Sequence, residues 1–336
     1  MRPEALAKRV VRPPSMPTLA GMNLAAAPTP GPLVVRLRNW VGDVVLSVPA
    51  LRRLEAAGHD LHLVGKGWAA DLLGGHGWKV HPMRKGRWDR VAQLRELRRQ
   101  LGPSVRSLLF PYAFSAALEF RLAGFSPDGF SGQCRGWLLG RSFRRPRGLH
   151  TAREYWSLAQ SFLGADEPMP SPADWRFTPA AEAEADRLAL QHGLTDGHVV
   201  LIPFASNGPD DPRVWPGFPR LAAELAASGR RIVLCPGSAA ETEAARSRYP
   251  DAATLPGVGM SAYGVLMRRA ALVLACDTGP GHLAAAAGAN VVSIFGPSSP
   301  DLWAPVGPRA RILRAREGWP SVEEVARFAG SPTGLA

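Results

Sequence analysis

The stretch from Ala271 to Phe295, ALVLACDTGPGHLAAAAGANVVSIF, decides the fold. Its first six residues are almost continuously apolar, as in a parallel strand covered on both faces. Leu283 to Ala287 is strong helix-forming sequence, Pro280 is tolerated in a first helical turn, and Gly288 suits the position just past a helix end. Val291 to Phe295 is a second apolar run, stopped by Gly296-Pro297. The reading is strand, helix, strand. At the junction, Asp277-Thr278-Gly279-Pro280-Gly281-His282, the helix would start with free backbone N–H groups and the positive end of its dipole. That geometry binds phosphate at the carboxyl ends of parallel strands.

The same alternation extends outward. Leu33 to Leu37, apolar with Arg36 inserted, reads as a first strand, and Asn39-Trp40-Val41-Gly42-Asp43 turns from it into a helix running towards Leu54. Leu61 to Val64 and Val105 to Phe110 read as strands, and Trp88 to Leu101 as an amphipathic helix. Glu167-Pro168-Met169-Pro170-Ser171-Pro172 is stiff and extended because of its prolines. Beyond it the pattern restarts with helix Pro179 to His192, strand Val199 to Pro203, helix Phe218 to Ala227, strand Arg231 to Cys235 and the turn Pro236-Gly237-Ser238. A last short helix runs from Ser321 to Phe328. Alternating strands and helices define an α/β protein. The organisation expected is a loosely ordered tail over residues 1–30, a Rossmann-like domain over 31–167, a linker at 168–174 and a second Rossmann-like domain over 175–336.

Bulk properties agree. A chain of 336 residues is too long for one ordinary core, and 46% hydrophobic with 20% charged residues is globular. Its longest apolar runs fall far short of the ~18 residues that span a bilayer. The net charge is +12, of which residues 1–30 supply +3, and the remaining surplus favours an anionic partner: nucleic acid, a phosphorylated substrate or an acidic membrane surface. Cys134, Cys235 and Cys276 are odd in number and far apart, which argues against a disulfide framework and fits a reducing cytoplasm. Residues 1–30 lack the sustained apolar core of a signal peptide. His59 and His62 have no third ligand at a recognisable spacing, so a metal pair is set aside.

Taken together, Trp40-Val41-Gly42-Asp43, Arg213-Val214-Trp215-Pro216, Pro236-Gly237-Ser238 with Glu241, and Asp277-Thr278-Gly279 with His282 resemble the heptosyltransferases of lipopolysaccharide inner-core assembly, glycosyltransferase family nine. The resemblance runs from about Leu33 to the C-terminus and includes Phe110-Pro111, Ala123-Gly124, Arg135 and Leu138-Leu139. It implies the GT-B fold, two Rossmann-like lobes facing a central cleft. The C-terminal lobe would hold an ADP-sugar donor, ADP-heptose, and the N-terminal lobe a lipid-linked anionic acceptor. Transfer would invert the anomeric carbon without a required metal or other cofactor, in the cytoplasm against the inner membrane surface and with no nucleic-acid partner.

Each residue also has a plainer reading. Asp43 at a helix start is either an N-cap or, by the resemblance, the general base that takes the proton of an acceptor hydroxyl. Gly42 would let the backbone approach substrate with no side chain in the way. Arg213 stands where the family usually shows lysine; it is either a solvated loop arginine or a bidentate partner for the departing diphosphate. Ser238-Ala239-Ala240-Glu241 matches a capping box, whereas the resemblance gives Glu241 a ribose hydroxyl and puts Met260 beside adenine. Thr278 and Gly279 are the phosphate candidates, because the N–H groups of the turn and the threonine hydroxyl can bind oxygens. His282, on the same helical face as Thr278, is either a satisfied core histidine or a diphosphate donor. Arg135, Arg141, Arg144, Arg145, Arg147 and Arg153 stand in a window without an acid, either a solvated face or an acceptor site, and His150 matches a family histidine beside it. Tyr112-Ala113 and Ser115 replace the Asn-Ser and Arg typical of relatives, so the acceptor need not be the common one. Outside the resemblance, two rivals stand: a GT-B transferase or epimerase using a UDP- or GDP-sugar, and a non-catalytic binding module for anionic ligands.

Overall fold

The computed structural model describes residues 29–171, 175–194 and 197–330, so most of the expected tail and part of the expected linker lie outside the described residues. The first lobe runs β1 (Pro32–Arg36), α1 (Val41–Ala56), β2 (Asp60–Gly65), α2 (Trp68–Leu73), β3 (Lys79–Pro82), α3 (Arg87–Leu101), β4 (Arg106–Leu109), α4 (Phe114–Leu122), β5 (Asp128–Phe130), β6 (Ser142–Phe143) and α5 (Thr151–Leu163). The second runs α6 (Pro179–His192), β7 (Val199–Ile202), α7 (Phe218–Ala227), β8 (Ile232–Leu234), α8 (Ala239–Arg248), β9 (Ala253–Thr254), α9 (Met260–Arg269), β10 (Leu272–Cys276), α10 (Gly279–Ala286), β11 (Val291–Phe295), α11 (Pro300–Trp303), β12 (Ala310–Arg314) and α12 (Val322–Gly330).

Every strand pairing is parallel, and the two sheets have the orders β3-β2-β1-β4-β5-β6 and β12-β11-β10-β7-β8-β9. Both are the Rossmann order. Strand order reverses between β1 and β4 in one sheet and between β7 and β10 in the other, and ligands of such sheets bind beyond the carboxyl ends of the strands at that reversal. The sheets are covered on both faces, which is why β7 and β11 are buried at every position. A single apolar cluster joins the lobes. It carries Val44, Val48 and Leu51 of α1, Ala159 and Phe162 of α5, and Leu283 and Ala284 of α10.

The lobes also meet through polar contacts. Ser261, in the first turn of α9, donates its N–H to Asp71 Oδ2 at 3.2 Å and its hydroxyl to the Asp71 carbonyl at 2.6 Å. The N-termini of α1 and α10 approach so closely that a Cβ on Gly42 would stand 2.7 Å from His282 Cδ2, and one on Gly279 2.7 Å from Val41 Cβ.

Candidate active site

Both reversal points open onto one cleft, a cavity of about 760 Å³ that brings Gly42 and Asp43 from the first lobe together with Arg213, Thr278, Gly279 and His282 from the second. Glu241 and Met260 line the same cavity. Each of these groups follows the carboxyl end of a strand, so the topology alone gathers them.

Asp43 is the third residue of α1. The N-cap is Trp40, whose side chain makes no cap bond, so the capping reading of Asp43 does not hold. Its Oδ1 accepts the Tyr155 hydroxyl at 2.7 Å and lies 3.5 Å from Arg38 Nη1. Oδ2 has no protein partner among the described residues. The carboxylate is only 8% exposed, and burial raises its pKa against the opposing pull of Arg38 and the Tyr155 hydroxyl. A raised carboxyl pKa makes a better proton acceptor near neutrality. Tyr155 lies 112 residues away in sequence, on α5. Sequence reasoning missed both it and Arg38, because nothing local marks a partner that only tertiary packing delivers.

Arg213 is not a loose loop side chain. Its Nε and Nη2 donate to the two carboxylate oxygens of Asp211 at 3.0 and 2.7 Å, and Nη2 also reaches Ser206 Oγ at 2.6 Å. Those bonds hold the Asp211 carboxyl at a pKa of about 2. The pair is a fork on a carboxylate that fixes the guanidinium before any ligand arrives. Asp211 was the third omission, although it stands only two residues from Arg213.

Thr278 is the N-cap of α10, extended at φ −151°, and its hydroxyl makes no cap bond. The first-turn N–H groups of α10 therefore meet the cavity without a side-chain cap. Neighbouring Asp277 is buried, which raises its pKa. His282 is 5% exposed, its Nδ1 has no partner among the described residues, and burial holds its pKa near 3. The satisfied-core reading fails, and the side chain acts as a neutral imidazole. Glu241 accepts the Gly237 N–H at 2.7 Å while its own N–H donates to Ser238 Oγ at 3.2 Å. The capping bond from Ser238 is thus present, with the carboxylate reaching one residue further back than in the full box. Met260 opens α9.

The acceptor assignments fare differently. Arg135 is completely buried and donates to the carbonyls of Phe130, Pro111 and Ala113, so its guanidinium ties loops together and does not face a ligand. Burial lowers its pKa to about 10. His150 caps α5, accepting the Ala152 N–H at Nδ1, and its Nε2 donates to the Ala304 carbonyl at 2.8 Å. Both ring nitrogens are committed, Nδ1 to the cap of α5 and Nε2 to the second lobe. Arg144 is exposed. Arg141 and Arg145, two of the six arginines, are paired with Asp128 and Glu154, acids just outside the window. His62 stacks on His81 with ring centroids 5.3 Å apart, a neighbour the sequence did not offer. Among the described residues no group of three or more His, Cys, Asp or Glu side chains is arranged to hold a metal ion.

Two Rossmann-like lobes facing one cleft, with a carboxylate from one and an uncapped helix start with an anchored arginine from the other, define a GT-B glycosyltransferase. Residues 95–330 match glycosyltransferase family 9 (heptosyltransferase), and the chain belongs to that family. It is 27% identical to lipopolysaccharide heptosyltransferase 2 of Escherichia coli K12 over 314 residues, covering 85% of this chain and 88% of that one. Its fold is similar to the structure of E. coli ADP-heptose lipopolysaccharide heptosyltransferase II, with a TM-score of 0.71 at 23% identity over 90% of this chain and 96% of that one. It is also similar to E. coli heptosyltransferase WaaC with ADP, again with a TM-score of 0.71, at 21% identity over 88% and 98%.

Proposed function

We propose that this glycosyltransferase moves a heptose from ADP-heptose to an anionic inner-core lipopolysaccharide acceptor, inverting the anomeric carbon, without a metal and at the cytoplasmic face of the inner membrane. The observation that carries the reading is the pairing, across one cleft, of a carboxylate with a raised pKa and a set of phosphate-directed donors. The names of the relatives support the donor and the acceptor class. Among the described residues no helix is long and apolar enough to cross a membrane.

Asp43 takes the proton of the attacking acceptor hydroxyl as its oxygen bonds to the anomeric carbon. The bond from that carbon to the diphosphate oxygen breaks on the opposite face, and its electron pair leaves with ADP. Charge growing on the diphosphate is met by Arg213, by the Thr278 hydroxyl and by N–H groups at the start of α10. His282, neutral in its buried setting, contributes a hydrogen bond without a charge. The Arg213 guanidinium keeps the charge of the family's usual lysine and adds a second donor direction. Glu241 and Met260 would contact ribose and adenine, and Arg144 is the remaining candidate of the acceptor set.

Mass spectrometry of products from a panel of nucleotide sugars and truncated core acceptors tests this directly. A heptose added only from the ADP-sugar supports it. In thermal unfolding, ADP at 100 times its dissociation constant should add about 2.7 kcal/mol of stability. Stabilisation by UDP or GDP in place of ADP would overturn the donor assignment, and binding governed by a steep salt dependence with no turnover would favour an anion-binding module.

A further inference from the structure

We propose that Tyr155 is the positioning residue of the reaction: its hydroxyl, donated to Asp43 Oδ1, fixes that carboxylate so that Oδ2 alone is left to receive the acceptor proton. The inference rests on Asp43 being the base. It adds a residue from a different element, chosen by no motif.

The geometry is specific. Tyr155 is 1% exposed and its ring packs against Phe110 at 5.1 Å between centroids, so the hydroxyl cannot swing to another partner. Its hydroxyl is 2.7 Å from Oδ1, and Arg38 Nη1 stands 3.5 Å from both that oxygen and the Tyr155 oxygen. Two groups thus meet at Oδ1, and none at Oδ2 among the described residues. A buried aromatic with two torsions loses little entropy in holding such a bond, whereas the Asp43 side chain alone has several rotamers.

The groups facing Asp43 come from every neighbouring element. Arg38 follows β1, Tyr155 and Glu154 sit on α5, and His282 of α10 packs on Gly42 from the other lobe. Glu154 is itself tied down, accepting Tyr112 Oη at 2.6 Å and Arg145 Nη2 at 3.0 Å, while the Arg38 and Arg145 guanidiniums lie over the Tyr112 ring. Burial and Glu154 raise the Asp43 pKa, and Arg38 with the Tyr155 hydroxyl lowers it. The Tyr155 pKa is itself pushed far up, first by burial and then by Asp43, so the shared proton stays on the tyrosine and Asp43 remains a carboxylate. The tyrosine therefore has two separable effects on the base: it sets the rotamer, and it moderates the pKa that desolvation would otherwise raise further.

Tyr155→Phe keeps the ring and removes the bond. With ADP-heptose and a truncated inner-core oligosaccharide, kcat should fall on the order of 10-fold or more, because a misdirected base loses its near-attack geometry. The KM for the donor should stay within about two-fold, since the donor lies on the other lobe. The acid limb of the kcat/KM profile should move to higher pH, because a stabiliser of the carboxylate is gone. Arg38→Gln, which leaves the buried tyrosine intact, should move that limb the same way and serves if the phenylalanine variant folds poorly. An unchanged acid limb in both variants, with kcat within about two-fold of the parent, overturns the proposal. Asp43→Asn separates the two levels. Retained turnover in that variant removes both the base and its positioner, whereas an inactive Asp43→Asn beside unshifted tyrosine and arginine variants removes only the positioner.

Discussion

The decisive side chains work in pairs that tertiary structure assembles. Asp43 is the clearest case. Its replacement by alanine should abolish turnover while ADP affinity, measured by calorimetry, stays nearly unchanged, because the proposed diphosphate donors come from α10 and the segment after β7. Lost affinity with retained turnover would contradict the assignment. Arg213 should behave differently. Arg213→Gln removes the charge proposed to face the diphosphate and should lower kcat by about 10²-fold, the scale for deleting one transition-state donor. Asp211→Asn weakens the fork that aims the guanidinium and should cost less in kcat, about 10-fold, with a raised KM for the donor. Steady-state kinetics of the two variants side by side checks the order. The residues that line the cleft were legible in the sequence because strand ends and turns announce themselves: Asp43, Arg213, Thr278 and His282 all come after apolar runs. The residues that hold them were not. Tyr155 sits in a segment for which the sequence predicts no element, and Arg135 reads as a solvated or acceptor-binding cation because its carbonyl partners, spread from Pro111 to Phe130, have no sequence signature.

At the scale of elements, α6, α7 and β11 fall where propensity and punctuation put them, and the other expected elements shift by only a few residues. That success is physical. Parallel strands buried on both faces leave apolar runs, and Thr178-Pro179 with Gly193 brackets α6 by a cap, an N1 proline and a left-handed glycine at φ +60°. What local pattern omits is how helices meet. Gly42 was read as clearing space for substrate, yet the nearest atoms to a Cβ there belong to the His282 ring of the opposite lobe. Gly42→Ala should therefore act as overpacking between α1 and α10, costing roughly 1–3 kcal/mol. His282→Ala should relieve most of that cost in the double variant, because it removes the obstructing ring. Urea midpoints of the four proteins of this cycle give the coupling; strict additivity would show that the two helices do not touch there in solution.

For the whole molecule, the interfaces between parts are where stability should respond to pH. His76 is 4% exposed, stacked on Trp78 at 4.7 Å and edge-on to Trp175 at 4.8 Å, the first residue described after the linker. Among the described residues neither ring nitrogen has a partner. Burial, with the nearby charges of Arg52 and Arg176, holds its pKa near 3, and His282 at the lobe contact is held near the same value. A histidine whose folded pKa lies below its unfolded value of 6.5 stays neutral in the folded state while the unfolded chain takes up a proton. Its stabilising contribution is complete above pH 6.5 and is lost progressively as pH falls towards 3. Between pH 6.5 and 5 each such group should remove up to about 2 kcal/mol. His59, His62, His81 and His150 are shifted in the same direction by burial, whereas Asp43, raised in the folded state, has the opposite sign. These contributions are common to parent and variant, so a difference measurement isolates His76. His76→Phe keeps an aromatic ring between the tryptophans and carries no proton. Its stability relative to the parent should be small and constant above pH 7 and should rise steadily as pH drops to 5, read from denaturant unfolding at a series of pH values. Parallel curves for the two proteins from pH 7.5 to 5 would mean that the folded state charges His76 as readily as the unfolded chain does, and that the joint between β3 and the second lobe opens to water.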